Sequence, residues 1–588
     1  MDKKNSTLKD TFLSAVQSYK NKDFKNAQIL CYKIISIDPN NLEAILLLSS
    51  IFAANRDFVN AKKMLKSADI IKPNNISILN NLGTVFTNLK EFKDAEVCYK
   101  KVIEVDPSNS NAHYNYGLLY LELKELKKAK IFFKKAINLE PTFAYAFLAL
   151  ANINVDEKEY ETAVSNYQKA IDLRPKLVNA HNNLGLAFSK LGDSQKAIDC
   201  YQTVVKLKFD HSGAHHNLAL ALKEMGRFKE AAISHNNAIK YEPENLMHYF
   251  YLSDLDQNIL NSKLKEKSKK IINDNNSSIR NIAFANYLLS KFEKRTNNYE
   301  KEFHYLIKGH QDFFNSNKAN FVLKTKYVFE NLVQISKDAK VSKSKEKNEN
   351  NIKPIFIIGV PRSGSTVVEK IIGSGVKRIP IGEETTILEN FINSKIMQKQ
   401  SLVLGDDNII RNEIYDIFKK KGLLSKKYNF TFTDKSLNNF YYLNLIKDIF
   451  PDAKIINCRR DPLSSIMSIM QNNLTELAWA HNLENIFQYF DNCFQTIKTF
   501  TDANPEYIYN LNFEKFTKDP IDESKKLMKY CDLEWSNKCL EFYERKDIIS
   551  KTTSNIQIRK SIYQHPLKKY LPYKIFLKKY AQKYSWFN

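Results

Sequence analysis

A strand, a loop and a helix start follow one another in the segment PIFIIGVPRSGSTVV, an order that is typical of phosphate binding. Ile355–Ile358 is an apolar run too short for a helix, Gly359–Thr366 forms a turn, and a helical pattern begins at Val367. The loop follows the pattern G-x-x-x-x-G-K-[ST], except that Ser365 replaces the lysine that serves nucleoside triphosphates. With Arg362 inside it, the loop therefore suits one 5′-phosphoryl group that carries a further anion.

A second strand, turn and helix pattern lies further along the chain. An apolar strand over 455–458 ends at Arg459 and Arg460, and Asp461-Pro462 follows. Arginine can clamp a phosphate with two hydrogen bonds, and a helix start adds N–H donors. The predicted helix carries three hydroxyls, at Ser464, Ser465 and Ser468. Since the carboxyl ends of parallel strands meet at one edge of a sheet, we expect the two motifs to lie together.

An acidic pair and a lysine could supply the remaining chemistry. Glu383 and Glu384 stand in the segment Gly-Glu-Glu-Thr, and a carboxylate there could take the proton of an attacking hydroxyl. Lys435 precedes a predicted helix that leads to the second motif. A cation at the position of Lys435 would stabilise charge developing on a leaving phosphate. Taken alone, these charges are typical of a solvated surface. Their position after the loop makes them catalytic candidates.

The segment PRSGST resembles the 5′-phosphosulfate loop of the sulfotransferase superfamily, and the resemblance continues to the end of the sequence. GEET matches a segment of the tyrosylprotein sulfotransferases. The resemblance implies the donor 3′-phosphoadenosine 5′-phosphosulfate (PAPS), with Glu384 as general base and Lys435 near the bridging oxygen. One extra residue between Arg362 and this glutamate leaves Glu383 open as the alternative. The implied donor-binding loop residues are Pro361, Arg362, Ser363, Gly364, Ser365 and Thr366.

The same resemblance implies that Arg460 and Ser468 bind the 3′-phosphate. Near the end of the sequence, TSNIQIRKSIY resembles the family segment that closes over the nucleotide. There Ser554 matches a serine near the 5′-phosphosulfate, and Lys560 or Arg559 matches its basic partner. The segment around Phe513 resembles a structural strand and turn. No metal is expected, because protein cations hold the developing charge.

The front half of the sequence contains residues that recur every 34 positions. One ladder is alanine: Ala27, Ala61, Ala95, Ala129, Ala163, Ala197 and Ala231. A second is proline, with Phe209 in its gap: Pro39, Pro73, Pro107, Pro141, Pro175 and Pro243. A third ladder consists of small residues: Gly83, Gly117, Ala151, Gly185 and Ala219. Small residues permit close helix crossings and proline ends a helix. The pattern resembles tetratricopeptide repeats, which implies a superhelix with a concave binding groove.

One repeat position carries asparagine in four repeats. These residues are Asn81, Asn115, Asn183 and Asn217, and Ala149 interrupts the series. An amide can both donate to and accept from a peptide backbone, and the series resembles the asparagine ladder of O-linked N-acetylglucosamine transferases. We predict an acceptor-binding groove there. The alternative is that a sequence rich in asparagine places it at tolerant exposed sites.

The predicted fold class is an α superhelix, a tetratricopeptide array, followed by an α/β P-loop-like sulfotransferase domain with a parallel sheet. Seven repeats are expected over 8–245 and a helical connector over 246–340. A polar linker is expected over 341–352, before the sulfotransferase domain at 353–588.

The composition bears on the expected ligands, metal sites and location of the protein. The formal charge of +24 suits anionic ligands, but nucleic acid is not the expected partner. The seven cysteines are scattered without a CxxC pair, which fits reduced thiols and offers no metal site. The sequence starts without an apolar leader and has no apolar run long enough to span a membrane, so the expected location is the cytoplasm.

The leading functional hypothesis is a PAPS-dependent sulfotransferase. Its acceptor would be a hydroxyl group, on a protein tyrosine or a carbohydrate, and its repeats would recruit the acceptor or a protein partner. The alternatives are a catalytically inactive nucleotide-binding scaffold and an enzyme that sulfates carbohydrates or small molecules. A P-loop kinase is disfavoured by Ser365.

Overall fold

The computed structural model describes residues 2–343, 352–399, 401–424, 426–428, 430–545, 547, 550, 555–562 and 567–587. The chain divides into two compact units, Met1–Asp210 and His211–Asn588. The helices of the first unit are α1 (Asp2–Lys20), α2 (Phe24–Ile37), α3 (Leu42–Ala54), α4 (Phe58–Ile71), α5 (Ile76–Asn88), α6 (Phe92–Val105), α7 (Ser110–Glu122), α8 (Leu126–Leu139), α9 (Ala144–Asp156), α10 (Tyr160–Leu173), α11 (Val178–Leu191) and α12 (Ser194–Leu207).

These helices form the expected array of pairs, and the ladders have physical causes. The second helix of each pair ends two residues before the ladder proline, except α12, where Phe209 takes the place of the proline. The turn inside each pair contains a left-handed residue at the same repeat position, for example Lys90 (φ +61°) and Gly192 (φ +92°). At Gly83 an added Cβ would lie 2.6 Å from the ring of Tyr99, so the small residue is required by a ring on the second helix. The alanine ladder is fully buried.

The second unit begins with one more helix pair of the same pattern, α13 (Ser212–Glu224) and α14 (Phe228–Tyr241). The connector follows as α15 (Leu246–Leu252), α16 (Ser262–Ile272), α17 (Ile279–Arg295), α18 (Tyr299–Asn315), α19 (Lys318–Lys326), a π-helical turn (Tyr327–Asn331) and α20 (Leu332–Asp338).

The strands are β1 (Lys340–Ser342), β2 (Lys353–Ile358), β3 (Val403–Asp406), β4 (Thr431–Asp434), β5 (Lys454–Arg459) and β6 (Ile508–Asn512). The remaining α-helices are α21 (Ser365–Ile372), α22 (Ile387–Lys399), α23 (Asp407–Lys420), α24 (Leu443–Ile449), α25 (Pro462–Asn472), α26 (Leu483–Ala503), α27 (Phe513–Lys518), α28 (Pro520–Tyr530) and α29 (Lys574–Ala581). The 3-10 segments are 257–259, 426–428, 437–442, 478–481, 537–539, 542–544, 557–559, 567–573 and 585–587.

The main sheet is parallel and confirms the predicted α/β class. Its strand order is β4-β2-β5-β6, with Phe356 opposite Asp434 on one side and Ile455 on the other. Alternate residues of β2 enter two separate cores, Phe356 one and Ile357 the other, so the sheet is covered on both faces. The carboxyl ends of the four strands therefore share one edge.

A second, two-stranded parallel sheet pairs β1 with β3, and the sequence analysis did not anticipate it. The linker predicted over 341–352 overlaps β1 at its start. Residues 344–351 of that linker lie outside the described residues. Within the described ranges, no helix combines the length and apolar character needed to cross a bilayer.

Two buried histidines join the connector to the domain that follows it. His310 on α18 and His481 are 3.0 Å apart between their Nδ1 atoms, and His310 Nε2 is 2.8 Å from the carbonyl oxygen of Met470. Burial lowers the pKa of His310 to about 4 and the pKa of His481 well below its ordinary value. Both imidazoles are therefore neutral in the folded unit and gain protons when it unfolds.

This pair should make the second unit acid-sensitive. Because the folded pKa values are depressed, the stabilisation is complete above the unfolded value of about 6.5 and is lost as the pH falls toward about 4. At one pH unit below 6.5, each imidazole should lower the free energy of unfolding by roughly 1.4 kcal/mol. All three tryptophans lie at 479–586, so their fluorescence during urea unfolding reports on this unit alone. The pH dependence should weaken in His481→Gln and persist in His304→Gln, an exposed position on α18. Equal pH dependence in both variants would contradict the assignment.

Candidate active site

The loop after β2 is shaped by two glycines in left-handed backbone conformation. Gly359 has φ +132°, and an added Cβ would lie 2.5 Å from the carbonyl oxygen of Cys458. Gly364 has φ +97°, and its Cβ would lie 2.2 Å from the ring of Phe513. The loop backbone therefore passes close to both neighbours before α21 begins at Ser365. Its N–H groups at that helix start are suited to an anion.

Arg362 joins the loop to the second motif. Its Nε donates to Oγ of Ser468 over 2.8 Å, and its carbonyl oxygen accepts from Nη1 of Arg460 over 2.9 Å. Its Nη2 also donates to Oε1 of Gln557 over 3.1 Å. The two motifs that the sequence placed at one sheet edge are thus in direct contact. Gln557 belongs to the segment predicted to close over the nucleotide, but sequence reasoning had not singled it out.

The start of α25 is held by carboxylates. Asp461 caps the helix by accepting from the backbone N of Ser464 over 2.7 Å, and the N–H of Asp461 donates to Glu514 over 2.9 Å. The side-chain hydroxyls of Ser363, Ser464 and Ser465 are buried and have no hydrogen-bond partner among the described residues. Unsatisfied buried hydroxyls beside two arginines are donors that an anion could use.

A cleft lies between the loop and the C-terminal segment. Its cavity volume in this structure is about 70 Å³. Its apolar lining comes from Phe513, Phe542 and Ile562, and its basic lining from Arg362, Arg460 and Lys560; Gly364, Ser365, Thr366, Val367, Thr517, Gln557 and Ser561 complete it. The guanidinium of Arg460 lies 5.6 Å from the centroid of the Phe513 ring. The sequence pattern around Phe513 predicts only a structural role, although its place directly after β6 puts it at the same sheet edge.

The Gly-Glu-Glu-Thr segment runs beside the end of β4. Gly382 donates to Oγ1 of Thr433 over 3.2 Å, and a Cβ there would lie 2.1 Å from the Thr433 carbonyl oxygen. Glu384 is 41% exposed at its side chain, and its Oε1 is 2.8 Å from Nζ of the buried Lys435. Burial lowers the pKa of Lys435, but Glu384 and Glu369 outweigh it and raise the pKa above its ordinary value. The lysine is therefore charged.

The neighbouring glutamate points elsewhere. Glu383 is 18% exposed, and its Oε1 is 2.7 Å from Nζ of Lys370, which is buried. The two adjacent carboxylates thus pair with two different lysines. Asp434, also buried, accepts from Thr385 Oγ1 over 2.7 Å and from the backbone N of Ser436 over 2.9 Å, which fixes the backbone on both sides of Lys435.

The C-terminal candidates separate in the structure. Lys560 lines the cleft. Arg559 instead donates to the carbonyl oxygen of Glu224, at the end of α13, over 3.4 Å. The same oxygen accepts from Nδ2 of Asn555 over 3.1 Å and from the backbone N of Ser550 over 3.4 Å. Ser554 lies outside the described residues.

Two residues of the asparagine ladder form hydrogen bonds to asparagines of the preceding repeat. Asn115 Nδ2 donates to Asn80 over 3.1 Å, and Asn183 Nδ2 donates to Asn152 over 3.0 Å. Asn81 is exposed. The fourth member, Asn217, is half-buried on α13 and so belongs to the second unit. The amide nitrogens at two of the positions thus already link neighbouring repeats.

No group of three or more His, Cys, Asp or Glu residues arranged to hold a metal ion occurs within the described part of the chain. The donors that the site offers are instead hydroxyls, backbone N–H groups and the cationic side chains of arginine and lysine.

Comparison with known proteins agrees with the predicted fold class in both halves of the chain. Residues 354–537 match the sulfotransferase family. Tetratricopeptide repeat models match 76–109, 98–131, 151–192, 178–211 and 212–245. The chain thus combines tetratricopeptide repeats with a sulfotransferase-family domain.

The individual relatives are distant. An uncharacterised protein of Aquifex aeolicus (strain VF5) is 25% identical over 310 residues, 50% of this chain and 40% of that protein, so the chain spans less than half of this relative. A putative protein-tyrosine sulfotransferase of Caenorhabditis briggsae is 22% identical over 220 residues, 35% of this chain and 77% of that protein. Among solved structures, MamA is 28% identical over 28% of this chain and 95% of that chain, with a TM-score of 0.27.

Proposed function

From tetratricopeptide repeats joined to a sulfotransferase-family domain, we propose that this protein transfers a sulfuryl group from PAPS to a hydroxyl acceptor. The observation that carries the proposal is the meeting of two anion-binding motifs in one cleft. Arg362 contacts both Ser468 and Arg460, while the Glu384–Lys435 pair stands at the same sheet edge. Binding groups and acid–base groups are thereby assembled together.

The residues present fit a nucleotide with two separate anionic ends. The loop start of α21 and Arg362 would hold the 5′ end, and Arg460 with Ser468 would hold the 3′-phosphate. The rings of Phe513 and Phe542 give the cleft an apolar wall suited to a flat base. Buried hydroxyls without partners, such as those of Ser363 and Ser464, offer further donors. Ser554 and Lys560 are proposed to complete this end of the site.

The order of groups along the sheet edge suggests how the reaction runs. Glu384 lies in the segment beside the end of β4. The loop comes directly after β2, and Arg460 comes directly after β5. The bound donor supplies an activated sulfuryl group. The acceptor oxygen forms a bond to sulfur, its proton passes to Glu384, and the bond from sulfur to the 5′-phosphate oxygen breaks with its electron pair. Lys435 and Arg362 would hold the negative charge that develops on that oxygen. The acceptor therefore approaches from the β4 side.

A protein tyrosine is the proposed acceptor. Support comes from the similarity to a putative protein-tyrosine sulfotransferase and from the repeats, a type of module generally used for protein binding. The asparagine positions would bind an extended chain through its backbone, and tethering would raise the acceptor concentration at the active site.

The test is sulfate transfer with ³⁵S-labelled PAPS, purified full-length protein and cell extract, followed by identification of the labelled product. Label on protein tyrosine supports the whole proposal. Label on carbohydrate or a small molecule keeps the enzyme and replaces the acceptor. Donor binding without any transfer would identify a nucleotide-binding scaffold instead.

Replacing Asn81, Asn115, Asn183 and Asn217 together by alanine should raise KM for a protein acceptor and leave donor binding unchanged. A small phenolic acceptor serves as the matched control, because it would not reach the repeats. Thermal unfolding should be followed in parallel, since the interrepeat hydrogen bonds of Asn115 and Asn183 contribute about 1 kcal/mol each. An unchanged kcat/KM for the protein acceptor would mean that the repeats are an assembly surface.

A further inference from the structure

Beneath the Glu384–Lys435 pair lies a second, more deeply buried ion pair that the proposed chemistry does not use. Glu369 and Lys370 are adjacent on α21 and are 0% and 1% exposed. Lys370 Nζ is 2.7 Å from Glu383 Oε1 and 3.7 Å from Glu369 Oε2. Burying such charges is unfavourable unless their partners are held in place. A helix that needed only to pack on the sheet would have apolar residues at these two positions.

The group closes around the backbone of Glu383. This residue has φ +53°, a left-handed conformation that is strained for a side chain other than glycine. Its N–H donates to Glu369 Oε1 over 2.9 Å, and its carbonyl oxygen accepts from the N–H of Lys435 over 2.8 Å. With the side chain on Lys370, Glu383 is anchored at three points.

The anchoring also reaches β4. Thr433 Oγ1 donates to the same Oε1 of Glu369 over 3.0 Å, two residues before Lys435. Glu369 therefore ties the segment carrying Glu384 to the strand carrying Lys435. Burial raises the pKa of Glu369, although Lys370 and Lys435 act against it. Lys370 Nζ lies beside the carboxyl groups of both Glu369 and Glu383.

We propose that Lys370 is a positioning residue which, with Glu369 and Glu383, holds the strained backbone that presents Glu384 to Lys435. The inference rests on the proposed function, because it gives Lys370 its effect through the proposed base. It differs from a stabilising role in the core, since such a role would affect donor binding and turnover alike.

The experiment is a double-mutant cycle on the full-length protein. Lys370→Met should lower kcat about 10²-fold, the cost of a catalytic group displaced by about 1 Å. The Kd for adenosine 3′,5′-bisphosphate should stay within about twofold of the wild-type value. In a Glu384→Gln background the same substitution should lower the residual kcat by less than about threefold, because residues acting through one another are not additive. Lys395→Met is the matched control: it removes an ion pair to Glu413 elsewhere in the domain and should leave kcat unchanged.

An equal loss of kcat in both backgrounds, or a parallel loss of donor affinity, would overturn the proposal. Glu383→Gln keeps the size of the side chain but removes its charge beside the buried Lys370, so it carries the cycle if Lys370→Met does not fold. It should show the same non-additivity with Glu384→Gln. If the wild-type protein binds the donor but transfers no sulfate, the proposed function fails. If the wild type is active and the Lys370 and Glu383 variants match it, only this inference fails.

Discussion

Glu384→Gln is expected to lower turnover on the order of 10²–10⁴-fold while the Kd for the donor stays unchanged. The substitution keeps the size of the side chain and its hydrogen bond to Lys435 but removes the proposed proton acceptor. The Glu384 side chain is half-exposed beside a buried lysine, where an acceptor hydroxyl could reach it. The measurement is single-turnover transfer of labelled sulfate, with calorimetry for donor binding.

The matched control is the adjacent Glu383→Gln. Because the Glu383 carboxylate pairs with the buried Lys370, its substitution should cost less than that of Glu384. The assignment of the base would be wrong if Glu383→Gln abolished turnover and Glu384→Gln retained it. Equal activity of both variants and the wild type would exclude either carboxylate as the base.

Arg460→Ala is expected to weaken adenosine 3′,5′-bisphosphate by about 2–3 kcal/mol, roughly 30- to 150-fold in Kd, because it removes a charge-assisted contact to phosphate. Adenosine 5′-monophosphate should bind nearly as well as to the wild type, since it lacks the 3′-phosphate. Arg460 also donates to the Arg362 carbonyl oxygen, so a small loss for both ligands is expected from the loop. Calorimetry with the two nucleotides separates these contributions.

Arg459→Ala provides the control for charge alone. Arg459 is the preceding residue and is exposed. It does not line the cleft beside the loop, but lines a neighbouring cleft that Arg460 also borders. Its removal should change the affinity for either nucleotide less than twofold at moderate ionic strength. Losses of equal size for the two nucleotides in Arg460→Ala would contradict the 3′-phosphate assignment.

The repeat array and the strands beside the loop could be predicted because each leaves a local pattern. Helix crossings that bury a ring against Gly83 demand a small residue every 34 positions, and β2 and β5 each contain consecutive buried isoleucines, at 357–358 and 455–456. By contrast, β1 and β3 are short and partly polar, with Val403 exposed. Their pairing depends on a contact between distant parts of the chain. Patterns of composition do not encode such a contact.

The candidate site was predictable in its motifs but not in its partners. Sequence placed Arg362, Arg460 and Ser468 together, and their mutual hydrogen bonds agree. It could not assign the two glutamates to different lysines. Lys370 reads as an ordinary surface cation on a helix, and only the fold brings Glu383 against it. Gln557 likewise contacts Arg362 across 195 residues of sequence.

The three hydrogen bonds that the carbonyl oxygen of Glu224 accepts determine where this chain can be joined to another in a chimaeric protein. Their donors, Ser550, Asn555 and Arg559, lie just before or within the segment whose Gln557 and Lys560 line the cleft beside the loop, and the acceptor belongs to the seventh helix pair. Gly226 beside it has φ +76°, and an added Cβ would lie 2.4 Å from the Arg559 guanidinium, so a larger residue there would displace that side chain. The seventh helix pair therefore belongs structurally with the sulfotransferase-family domain and not with the first six pairs. Chimaeras that exchange binding specificity should be joined near residue 210, leaving the seventh pair in its native context.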